Sequence, residues 1–158
     1  MNLSHLARRF FAFGSAKPLT ENERNSVVTR LPDAALAELF FAQPMADQRH
    51  GYDAGEWLAR REAPLWMVQA GMLHDVGKRH ASLGRWGRAV ATAFGWLRIV
   101  PPGAMSLYNA HGSTGADELT VLHADVRVVA YTAHHHGHRP VELGVGEWEM
   151  LDRADREN

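Results

Sequence analysis

The sequence predicts an all-α fold, a single-domain helical bundle. Two observations carry this expectation. No stretch alternates apolar with polar residues long enough to make a half-buried strand, whereas apolar residues recur at spacings of three and four through most of the chain. Prolines and glycines break that pattern into segments of helical length. At 158 residues, 46% of them hydrophobic and 22% charged, the chain is about one domain long and can bury a core. Residues 1–31 are read as an N-terminal extension and 32–158 as the helical domain.

The elements follow in order. "MNLSHLARRFFAFG" suggests a short amphipathic helix resting on the domain rather than on a membrane surface. "LPDAALAELFFAQ" places Pro32 and Asp33 in first-turn positions and Leu36, Leu39 and Phe40 on one face. A helix restarts after Pro44 in "PMADQRHGYDAGEWLARR", with His50 inside it and Gly51 and Gly55 weakening it. "APLWMVQAGMLHD", after Pro64, is apolar on every side but Gln69, as a central helix surrounded by neighbours would be. Leu83, Trp86, Val90, Phe94 and Leu97 predict a further helix, ended by Pro101 and Pro102. "AMSLYNAHGSTGADELTVL" holds a helix with His111 at its entry. "ADVRVVAYTAHHHGHRP" is a short helix capped by Asp125 that closes on a histidine cluster, and "GEWEMLDRADREN" is the last.

Composition also excludes functions. Without cysteine, the chain can hold no disulfide, iron-sulfur cluster or thiolate zinc site, so any metal must be bound through nitrogen and oxygen. A net charge of −1 does not suit a nucleic-acid duplex as partner. No apolar run is long enough for a membrane span or a secretory core, and the chain is expected to be cytoplasmic.

Ten histidines stand out, most of them in the second half. His5, His80 and His123 read as ordinary structural or exposed residues. "GMLHDVGKRH" is different. An apolar helix runs into His74 and Asp75 side by side, and a buried carboxylate needs a cation or a metal. Capping the turn and pairing with Lys78 or Arg79 would also satisfy Asp75. Water-activating metal sites gather three or more imidazoles and carboxylates from separate helices. His50, His74, Asp75 and an Asp of the final helix could supply such a set, with iron, manganese, nickel, cobalt or zinc favoured over calcium. His111 and the run His134, His135 and His136 exceed the needs of one ion. Consecutive residues on a helix point about 100° apart, so at most two of the three can share a centre.

The order of these motifs resembles the HD-domain metal-dependent phosphohydrolases. The resemblance rests on His50 in "DQRHGYDAG", then "LHDVGK" at 73–78, "AHGSTGADEL" at 110–119, "AHHHGH" at 133–138 and Asp155 in "LDRADREN", and it spans about residue 40 to the end. It implies an HD-type helical bundle that binds one or two divalent transition metals. His50, His74, Asp75 and Asp155 would ligate the first, with Asp75 bridging to a second held by His111, His134 and His135. Asp155 is preferred to Asp152 because it follows Ala154, and His134 and His135 are preferred to His136. No "GYP" follows the histidine run, which separates the chain from the cyclic-dinucleotide subgroup.

The expected activity is hydrolysis of a phosphate ester, a nucleotide or related small metabolite, by a metal-activated water. Asp75 would hold metal and accept the water's proton, and Lys78 and Arg49 would meet phosphoryl oxygens. A non-catalytic metal-containing binding domain and a di-iron oxygenase of the same family are the alternatives.

Overall fold

The computed structural model describes residues 16–81 and 109–158. The described residues are all-helical, with seven α-helices, one 3-10 helix and no strand. The helices expected at residues 1–14 and 83–97 lie outside them. No helix among the described residues is long and apolar enough to cross a membrane.

Helix α1, Glu21–Arg30, falls in the part read as an extension, where the sequence reading assigned no element. Its start is a capping box. The Thr20 hydroxyl accepts the Glu23 N–H, and the Glu23 carboxylate accepts the Thr20 N–H at 2.7 Å. Val27 and Leu31 are buried in the same core as the rest of the domain. Ser26 and Arg30 both bond Glu56, at 3.0 and 2.9 Å. Gln69, the polar residue of the central helix, donates to the Arg30 carbonyl at 3.0 Å.

Helix α2, Ala34–Phe41, begins after both residues expected in its first turn, Pro32 and Asp33. Asp33 is its N-cap and accepts the Ala35 N–H at 2.8 Å. Helix α3, Met45–Ala59, and the central α4, Leu65–Leu73, follow proline N-caps. They pack closely because α3 carries Gly51 at the contact, where a Cβ would stand 2.6 Å from the Met72 carbonyl oxygen. The approach brings the His50 and His74 rings to a centroid distance of 5.3 Å.

After Asp75 the chain tightens into a 3-10 helix, Val76–Ala81. Helices α5, His111–Val121, and α6, Val126–His134, pack together, with α6 also against α4. Helix α7, Val145–Glu157, lies on α3 and α4. Phe40, Leu58, Met72, Leu73, Leu119, Tyr131 and Leu151 are almost wholly buried between these layers. Their burial lets a cluster of polar side chains be held at the centre.

Candidate metal centre

Three helices build a first group. His74 is the C-cap of α4, His50 comes from the middle of α3, and Asp155 from the last turns of α7. His74 Nε2 lies 3.5 Å from Asp75 Oδ2 and 3.4 Å from Asp155 Oδ1, and that Asp155 oxygen is 2.9 Å from His50 Nε2. A second group forms on the other side of Asp75. His111 opens α5, while His135 and His136 follow the last residue of α6. His111 Nε2 is 3.3 Å from Asp75 Oδ1, His135 Nε2 is 3.5 Å from that oxygen, and the two ring nitrogens are 3.2 Å apart.

These spacings can be compared with coordination geometry. Donors placed about 2.0 to 2.2 Å from one ion stand roughly 3.0 to 3.5 Å from one another. The separations of 2.9 to 3.5 Å within the two groups lie close to that range, and the ligand atoms of His50, His74 and Asp75, like those of Asp75, His111, His135 and His136, lie within 4.8 Å of one another. Asp75 belongs to both, with Oδ2 turned to His74 and Oδ1 to His111 and His135.

The ring orientations fit a metal as well. A helix leaves its last carbonyls without intrahelical partners, and both C-terminal histidines use one, three residues back. His74 Nδ1 donates to the Gly71 carbonyl at 2.9 Å and His135 Nδ1 to that of Thr132 at 2.8 Å. With Nδ1 so engaged, Nε2 is the ring nitrogen turned to each group, the arrangement that outer hydrogen bonds give metal-binding imidazoles. His74 Nε2 is buried and makes no hydrogen bond. Burial disfavours a charge on that ring, but Asp75 and then Asp155 outweigh it and lift His74 above the ordinary imidazole range. Two carboxylates thus favour a cation at Nε2, whether a proton or a metal ion. His111 behaves oppositely, pushed down to about 4 mainly by burial, so it is neutral as a ligand must be. Burial would raise the Asp75 carboxyl, yet Lys78 and His74 hold it well below the usual carboxylate range. These residues could hold a metal ion, whose identity the donor set of imidazole and carboxylate does not select.

Glycine again sets the distance between elements. A Cβ on Gly77 would fall 2.0 Å from the His111 carbonyl oxygen, so only a bare Cα lets α5 begin this close to Asp75.

Several expected site residues are placed differently. His134 is exposed, and His136 joins the second group instead, its ring 5.0 Å from that of His111 and 3.9 Å from that of His135. Two of the three histidines share the centre, as the 100° spacing allows, but the pair is His135 and His136 because α6 ends at His134 and the chain turns beyond it. Arg49 does not face the cluster as a substrate ligand. Its guanidinium grips Glu23 through two bonds of 2.8 Å and Asp53 at 3.2 Å, clamping α1 to α3. Lys78 is buried, only 3% exposed, and is ion-paired with Asp75 Oδ2. Asp152 pairs with Arg156 at 2.8 Å on the surface of α7, whereas Asp155 reaches the centre.

The sequence reading did not single out Tyr131. Its buried ring lies 6.1 Å from that of His74 and 6.0 Å from that of His135, and it is edge-stacked on Trp148 at 5.7 Å. It packs against one histidine of each group. Its spacing of four before His135 was the available signal. Compared with known proteins, the chain matches no family model, no curated protein and no solved structure.

Proposed function

We propose that the chain is a metal-dependent phosphohydrolase of the HD-domain type, acting on a phosphate ester of a nucleotide or related small metabolite. The observation that carries the reading is the Asp75 carboxylate, whose two oxygens face two separate histidine groups at ligand-to-ligand spacing. His50, His74, Asp75 and Asp155 would hold one divalent ion, and Asp75, His111, His135 and His136 a second. Such ions supply an acidified water and a charge clamp on phosphoryl oxygens.

The protein's own groups divide the remaining work. The Gly71 and Thr132 carbonyls orient His74 and His135 and fix their tautomers. Asp75, held ionised, acts as ligand and counter-charge, and its depressed carboxyl makes it a poor acceptor for a proton at neutral pH. Lys78, whose ammonium is paired with Asp75, is the cation that would meet phosphate once an ion takes its place on the carboxylate. His136, the exposed member of the second group, marks the side from which substrate approaches.

The test is a screen of nucleotides, cyclic nucleotides and simple phosphate esters with added manganese, cobalt or nickel. Turnover that chelator abolishes and Asp75→Ala lacks is the expected result. A chain that binds metal but turns over no phosphate ester would instead be the non-catalytic binding domain.

A further inference from the structure

We infer that Lys78 is a built-in competitor for the first metal position, an ammonium held on the Asp75 oxygen that the ion needs and released when the ion takes it. The inference rests on the metal-dependent reading above and adds a way in which loading of that site controls a substrate-facing charge.

The two oxygens of Asp75 are not equivalent. Oδ1 faces His111 and His135, at 3.3 and 3.5 Å. Oδ2 faces His74 Nε2 at 3.5 Å and is the oxygen paired with the Lys78 ammonium. Lys78 therefore addresses the first position's share of the carboxylate. An ion bound to Oδ2 and His74 Nε2 would stand at contact range from the ammonium, and like charges so close in a buried setting repel strongly.

Backbone movement offers little escape. The Lys78 N–H is tied to the Asp75 carbonyl at 2.9 Å, and Gly77 beside it is wedged against His111. Only rotation of the four-carbon stem can withdraw the charge. Ion and ammonium are thus alternative partners of one oxygen, and in either state Asp75, 1% exposed, keeps a positive neighbour. The ammonium displaced by the ion then carries its charge beside the metal position, where phosphoryl oxygens would sit.

This role predicts an effect opposite in sign to that of a supporting residue. Zinc affinity of the chelator-treated full chain, measured by competition with a chromogenic chelator, is compared between wild type and Lys78→Met, which keeps length and loses charge. Removing the competitor should tighten the first zinc about 10- to 100-fold, the range of a charge-assisted contact. The gain should persist in a His111→Ala background and disappear in His50→Ala. Equal or weaker binding by Lys78→Met, with wild type binding zinc, overturns the inference and leaves the metal reading standing. A wild-type chain that binds no zinc overturns both. If Lys78→Met does not fold by circular dichroism, the wild-type chain decides through the side-chain 15N resonance of Lys78. That buried ammonium should be exchange-protected before zinc and lose protection after it, and a signal still protected at saturating zinc overturns the inference.

Discussion

His50 Nε2 and Asp155 Oδ1 lie 2.9 Å apart although 105 residues separate them. Their meeting makes α7 part of the candidate metal centre rather than a terminal appendage. Asp155→Asn should weaken binding of the first metal by at least about 100-fold, more than the 10- to 100-fold typical of outer partners, while Asp152→Asn should change nothing. Elemental analysis after dialysis against a dilute chelator checks both. Equal metal in the wild type and Asp155→Asn would remove Asp155 from the site.

The histidine run gives a comparison between neighbours. His136→Ala, like His111→Ala, should lower the metal content from about two ions toward about one, as expected when half of a two-metal clamp is lost. His134→Ala should leave it unchanged, because His134 is exposed outside the group. A loss with His134→Ala and none with His136→Ala would restore the assignment first drawn from the sequence.

Gly77 offers a test of packing. A methyl group there would meet the His111 carbonyl oxygen at 2.0 Å and the Gly115 nitrogen at 2.8 Å, so the 3-10 helix and α5 must separate. Gly77→Ala should destabilise the fold by about 3 kcal/mol in urea, the upper range for overpacking, and should also reduce the metal content. Wild-type stability in this variant would show that the two elements part easily.

The Glu23–Arg49 clamp predicts an acid dependence. Chiefly through its hydrogen bonds with Arg49, the Glu23 carboxyl is lowered from about 4.5 to about 2. A depressed carboxylate contributes stability above its unfolded value and loses it as pH falls. The contribution should therefore be complete above about 4.5 and vanish on the way down to about 2. With part of the pair open to solvent, about 1 kcal/mol is expected. Urea midpoints of chelator-treated wild type and Glu23→Gln should differ at pH 7, draw together below about pH 4.5 and converge only near pH 2. A gap that stays constant across this range would mean that the carboxylate charge is not what stabilises the clamp.

Much of the fold was legible in local chemistry. Asp33, Pro44, Pro64 and Asp125 each stand at a helix start, and the all-apolar "LWMVQAGML" is the central helix with His74 at its end. Helix α1 was overlooked although Thr20 and Glu23 carry a capping-box spacing, because its weakly apolar sequence "ENERNSVVTR" shows little periodicity around Val27.

The sequence by itself determined the all-α class, the histidine and carboxylate inventory and, through the absence of cysteine, the kind of donor a metal could find. Spacing of three and four, capping residues and side-chain chemistry are local properties and can be read along the chain. Which of His134, His135 and His136 turn inward, and that Arg49 is spent on Glu23, were decided only by tertiary structure. Those outcomes depend on where a helix stops and on how closely glycines let neighbouring backbones approach. A change of one residue in either rotates a side chain from the core to solvent.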